Sequence, residues 1–157
     1  MQQSTYLESK VLTATPQRLH LMLVEGALRF ARQADEALRR GEPAGASGTS
    51  AGGPLLRLID IVGELLAGVR ETKTELNQQL ADLYLFLFRK VSEARINSDA
   101  GALAEAMTIL EYERQTWQLV CEKFGGTADS AAPPALQAHS FDSPGARTTK
   151  SGISWQA

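Results

Sequence analysis

The stretch that decides the fold is Val11–Leu38, VLTATPQRLHLMLVEGALRFARQADEAL. Thr15 followed by Pro16 is a helix start: the threonine oxygen can cap a free backbone N–H, and proline at the first helical position gives up an N–H that has no partner anyway. Beyond the cap the apolar residues recur at helical spacing. On a wheel, Leu19, Met22, Leu23, Gly26 and Phe30 fall on one side, extended by Ala34, and read as the core stripe. Leu21, Val24 and Leu28 continue the apolar surface round the cylinder to an arc of about 240°, where a bundle helix needs little more than about 100°.

Working outward, helix formers and leucine dominate from Thr15 to Phe124, with no β-type alternation. Four helices are predicted: Pro16 to Arg40, Leu55 to Arg70, Glu75 to Asn97 and Ala100 to Phe124, with a short helical turn over Thr5 to Val11. The Gly, Ala and Ser-rich stretch Gly41 to Pro54 reads as a loop without core residues, Asn97 to Asp99 as a stop and a cap, and Gly125-Gly126 as the last helix end. The fold class is all-α, an antiparallel four-helix bundle over residues 1–124, followed by a low-complexity, disordered tail over 125–157. From Gly126 on, the tail carries four charged residues, Asp129, Asp142, Arg147 and Lys150, and the apolar marks Phe141, Ile153 and Trp155; it reads as a spacer or as a docking motif near GISWQA.

The third helix repeats the surplus of the first. Leu76, Leu80, Leu83, Leu87, Val91 and Ala94 make its core stripe, Leu85 and Ile96 lie nearly opposite, and Phe86 falls among charged neighbours. The second helix is narrower, with Gly63 and Gly68 off its stripe. Apolar surface beyond what one core can cover points to a groove for another chain. The groove residues this picks out are Leu21, Val24, Leu28, Leu85 and Phe86, so that Val24→Asp is expected to weaken partner binding with little loss of helicity.

Residue chemistry narrows the function. A net charge of -2 lacks the basic field of a nucleic-acid binder. The N-terminus has no apolar leader, and no apolar run is long enough to span a membrane. One cysteine, Cys121, and two histidines, His20 and His139, make no zinc set, and no Glu-x-x-His pair is present for a di-iron bundle. No phosphate loop and no activated nucleophile can be assembled, so neither catalytic residues, metal nor cofactor is expected. Cys121 reads as a small buried apolar residue, Arg114 as stacked on Trp117, and Glu111, Glu113 and Glu122 as a solvated face. Two rival readings stay open: a histidine-phosphotransfer bundle using His20, which lacks the family's Lys three residues on, and a structural bundle that pairs with itself.

One resemblance orders these readings. The run Tyr6…Val11-Leu12-Thr13-Ala14-Thr15-Pro16-x-x-Leu19-x-x-Met22-Leu23-x-x-Gly26-Ala27 resembles the opening of the flagellar secretion chaperone FliS family. Leu80-x-x-Leu83-Tyr84-x-Phe86, then Ala94…Asp99-x-x-x-Leu103 and Leu110-x-x-x-Arg114-x-x-Trp117, are similar to the rest of its pattern, so the likeness runs over about residues 5–123. It departs in the first interhelical loop, Gly/Ser/Ala-rich instead of charged, and in TKTELNQQL, where the family has a Gly-Gly and an Asn. The resemblance implies a cytoplasmic, non-enzymatic export chaperone. It would bind the disordered C-terminal region of flagellin, prevent premature polymerisation and present its cargo to the flagellar export gate, as a monomer with at most weak self-association. It also implies that Tyr6 belongs to a leading segment that covers the groove when empty.

Overall fold

The computed structural model describes residue 5, residues 14–46 and residues 48–124. The rest of the turn expected over Thr5 to Val11, Tyr6 with it, and the tail 125–157 lie outside the described residues. Four helices follow in order: α1 Pro16–Arg39, α2 Gly52–Arg70, α3 Glu75–Asn97 and α4 Ala100–Phe124. The all-α bundle read from the sequence is the observed fold. α1 packs on α2 and α4, and α3 packs on the same two, so the helices close a ring in which chain neighbours are also neighbours in space.

Local chemistry sets the helix ends. Thr15 Oγ1 accepts from the Arg18 N–H at 3.2 Å, and Thr74 Oγ1 from the Asn77 N–H at 3.1 Å, each satisfying a donor that the first helical turn leaves open. Ser98, at φ 52, turns the chain out of α3. Asp99 Oδ1 then takes the N–H groups of Gly101 at 2.8 Å and Ala102 at 3.1 Å, starting α4.

α2 begins at Gly52 instead of the expected Leu55, because the loop before it is built and not slack. Thr49 Oγ1 accepts from the Gly52 N–H at 2.9 Å and donates to the Ala46 carbonyl at 2.8 Å. Pro54 sits in the first helical turn, where proline is tolerated. Ala44 and Ala51 are fully buried; the Ala44 N–H donates to Ser98 Oγ at 3.0 Å and Arg95 reaches the Gly45 carbonyl at 3.2 Å. The stretch read as a loop without core residues thus closes one end of the bundle.

The core corrects the reading of α1. Leu21, Val24 and Leu28, taken from the sequence as surplus surface, are 2%, 0% and 2% exposed. The expected stripe of Leu19, Met22, Leu23, Gly26 and Phe30 is the half-exposed flank. The reason is size. Ala27, Ala31, Ala34 and Ala37 are wholly buried, and small side chains let neighbouring helices approach most closely, so the innermost face of α1 carries its least bulky residues. The wide apolar arc is used up by two flanking helices, α2 and α4.

Candidate functional site

Apolar surface does remain, on the face shared by α3 and α4. Two side-chain bonds fix the register of this antiparallel pair: Tyr84 donates to Glu113 at 2.8 Å inside the bundle, and Lys90 pairs with Glu105 at 3.0 Å outside it. In that register Phe86 lies level with Ile109, Leu83 with Tyr112, and Leu76 with Leu119. Leu76 is 49% exposed, Phe86 42%, Tyr112 68% and Leu119 55%. The Lys90 ammonium lies 5.7 Å from the Phe86 ring centroid and also meets Glu93 at 3.6 Å, so a charged clamp marks one end of the stripe. Clustered large apolar side chains with a polar rim are what an interaction surface requires.

Of the partner-binding residues read from the sequence, Phe86 alone is exposed on this face. Leu85 is half-buried on another side of α3. Leu21, Val24 and Leu28 are core, so the groove assigned to them is not a free surface. Tyr6 lies outside the described residues. Leu76, Tyr112 and Leu119 are not among the residues that the sequence picks out: the periodicity of α3 puts Leu76 on the core stripe, and the sequence alone does not say which side of α4 faces α3. The Lys90–Glu105 spacing, read against antiparallel helices, is the signal that could have found them.

On the other flank of α4 a groove of about 600 Å³ runs along α1. Leu28 and Met107 are apolar residues of its lining, Ala104 and Tyr112 line the α4 side, and Arg32 and Asp35 line the α1 side. Arg32 bridges the groove to Glu111 at 3.4 Å, and Glu111 is also held by Arg114. Hydrogen bonding to Arg114 lowers the Glu111 carboxyl below its ordinary range and raises the guanidinium. Tyr112 forms the ridge between this groove and the α3–α4 stripe.

Beneath both surfaces lies a polar cluster that the sequence did not disclose. His20 Nε2 is 2.8 Å from Tyr84 Oη, Tyr84 donates to Glu113 Oε2, and the Trp117 indole N–H donates to the same oxygen at 3.2 Å. The His20 ring lies against Trp117, centroids 3.8 Å apart. With the tyrosine proton committed to Glu113, His20 must donate from Nε2, which fixes its neutral tautomer. Burial pushes the His20 pKa down to about 3. Burial first, and the Glu113 charge second, push the Tyr84 phenol well above its usual value.

This cluster corrects two readings and bears on a third. Glu113 is a buried acceptor, 8% exposed, and not part of a solvated face. Trp117 stacks on His20, while Arg114 pairs with Glu111. His20 is a packed core histidine, 4% exposed with its Nε2 engaged, and a ring so buried does not present a nitrogen to a phosphoryl donor. Cys121 is half-buried, and burial raises its thiol above the usual range, away from reactivity. Among the described residues, no group of three His, Cys, Asp or Glu side chains could hold a metal ion, and no helix is long and apolar enough to cross a membrane.

Comparison with known proteins places the chain beside a family of flagellar proteins. The family model described as "Flagellar protein FliS" matches residues 1–124. The flagellar secretion chaperone FliS of Bacillus subtilis (strain 168) is 29% identical over 115 residues, 73% of this chain and 82% of that protein. The protein of that name from Salmonella typhimurium is 29% identical over 119 residues, 74% of this chain and 84% of its own. The one from Escherichia coli (strain K12) is 28% identical over 114 residues, covering 71% and 80%.

Proposed function

The chain belongs to the flagellar protein FliS family, and we propose that it is a cytoplasmic, non-catalytic export chaperone that holds the C-terminal region of flagellin on the α3–α4 face. Residues 1–124 are the chaperone domain in this reading, and 125–157 a tail with a separate task. The observation that carries it is the exposed row of Leu76, Phe86, Tyr112 and Leu119. Flagellin's terminal region has to stay unpolymerised until export. An amphipathic segment laid along this row would hide its sticky side while its polar side stays in water.

The energetics suit capture followed by release. A segment that orders on binding buries roughly 1,000–3,000 Å² and gives back a few kcal/mol in ordering. Net affinity is therefore lower than the buried area suggests, and hand-over to the flagellar export gate is not blocked by excessive tightness. Tyr6 retains its proposed role as the residue of a leading segment that covers apolar surface when cargo is absent.

Co-expression tests this reading. Intact flagellin should co-purify with the chain, and flagellin lacking its C-terminal region should not. Equal recovery of both forms would reject the assigned cargo segment. If light scattering shows a strong dimer that flagellin fails to dissociate, the row serves self-pairing instead.

A further inference from the structure

We propose that the α1–α4 groove is a docking site for this chain's own segment Ile153–Trp155. The groove has about 600 Å³ of space and a mixed lining, with Met107, Ala104 and Tyr112 as its apolar part, buried Leu28 beneath, and Arg32, Asp35, Arg39 and Glu111 along the rim. Pockets of roughly 300–1,000 Å³ accommodate drug-sized groups, so an indole and a branched aliphatic side chain fit together. Ile153 and Trp155 are two apart, which in extended backbone puts both side chains on one face.

The groove wall also asks for a donor. Asp35 Oδ2 accepts from Arg39 at 2.7 Å, but Asp35 Oδ1 is buried without a hydrogen-bond partner. An unsatisfied buried carboxylate oxygen is costly, and a modest turn about the side chain's soft terminal torsion presents it to the groove. Trp155 brings both an apolar body and an N–H; Phe141 brings no donor. The rim charges are already matched, Arg32 with Glu111 and Arg39 with Asp35, which suits the uncharged sequence GISWQA.

The tail is long enough to reach the groove. From Phe124, where α4 ends, back to Thr108 in the groove is about 24 Å along the helix. The roughly 28 residues between Phe124 and Ile153 are rich in Gly, Ser, Ala and Pro, and a coil of that length spans about 29 Å root-mean-square. Linker and span are matched, the condition for a high effective concentration.

Methyl and indole NMR of the intact chain, with no flagellin present, tests this independently of the cargo assignment. The Trp155 indole N–H signal should lie away from its position in a free GISWQA peptide. Trp155→Ser should move the Met107 methyl signal and leave Leu76 on the α3–α4 face unchanged. Met107→Lys should return the Trp155 signal to the free-peptide position; should that variant lose its fold, the tail variant carries the test alone. A Trp155 signal at the free position in the intact chain overturns the proposal. So does a Met107 methyl that answers Tyr6→Ala or Phe141→Ser but not Trp155→Ser. Signals that revert to the free position on dilution would assign the groove to a second copy's tail and overturn it as well.

Discussion

Tyr84 and Glu113 meet at 2.8 Å inside the bundle, the phenol donating and the carboxylate accepting, one from each of the two helices that carry the exposed row. The bond sets how α3 and α4 slide against each other, and so which apolar residues stand level outside. Tyr84→Phe removes the donor to a buried carboxylate and the acceptor for His20 together. A hydrogen bond to a charged group contributes about 1.5–3 kcal/mol, and a loss of that order should appear as a lower urea midpoint with an unchanged slope. Tyr84→Phe combined with Glu113→Gln should cost less than the sum of the two, since the pair acts as a unit.

The same cluster makes stability depend on pH. His20 titrates near 3 in the fold and at about 6.5 in an unfolded chain. Between those values the unfolded state binds a proton that the folded state refuses, so stability falls as pH drops below 6.5 and levels off near 3. The slope is about 1.4 kcal/mol per pH unit in the middle of that window, or about 2 kcal/mol lost by pH 5. Urea titrations from pH 7 to pH 5 should show this slope, and His20→Gln should flatten it. An unchanged slope in the variant would remove His20 as the source.

Core and row should respond oppositely to the same charge. Val24 is fully buried, so Val24→Asp leaves an unpaired carboxylate in the core and should unfold the bundle at a cost above about 3 kcal/mol. The separation of binding from folding that the sequence assigned to Val24 belongs to Phe86. Phe86→Asp and Leu119→Asp should keep native helicity by circular dichroism, and each should weaken binding of a flagellin C-terminal fragment by ten-fold or more in calorimetry, as truncating a hot spot does. Native affinity in the double variant would move the cargo site elsewhere.

These contrasts show where the sequence spoke clearly. Thr15-Pro16 and Asp99 announced two helix starts because capping is a local matter of one side chain and one or two N–H groups; Thr74, which caps α3 in the same way, is seen only in the structure. Which flank of α1 faces inward is not local. A wheel weighs side chains by hydrophobicity and so centred on Leu19, Met22 and Phe30, whereas packing put Ala27, Ala31 and Ala34 innermost. The exposed row needs the α3–α4 register, and Glu113 needed Tyr84 and Trp117 as partners before it could be seen as a buried acceptor.

Two glycines of α2 separate close approach from mere permissiveness. A Cβ at Gly52 would stand 1.9 Å from the Ala46 carbonyl oxygen and 2.7 Å from Thr49 Oγ1. Gly52→Ala must therefore push the 44–51 segment off the end of the bundle, with Ala44 and Ala51 losing their burial. At Gly63 nothing lies within 4 Å of the added carbon, and alanine in a helix interior is favoured over glycine by about 1 kcal/mol. Thermal unfolding should then show Gly63→Ala raising Tm by a few degrees and Gly52→Ala lowering it by at least as much. A Gly52→Ala variant as stable as the parent would mean the loop yields freely, and that the Thr49 bonds to Gly52 and Ala46 do not position the start of α2.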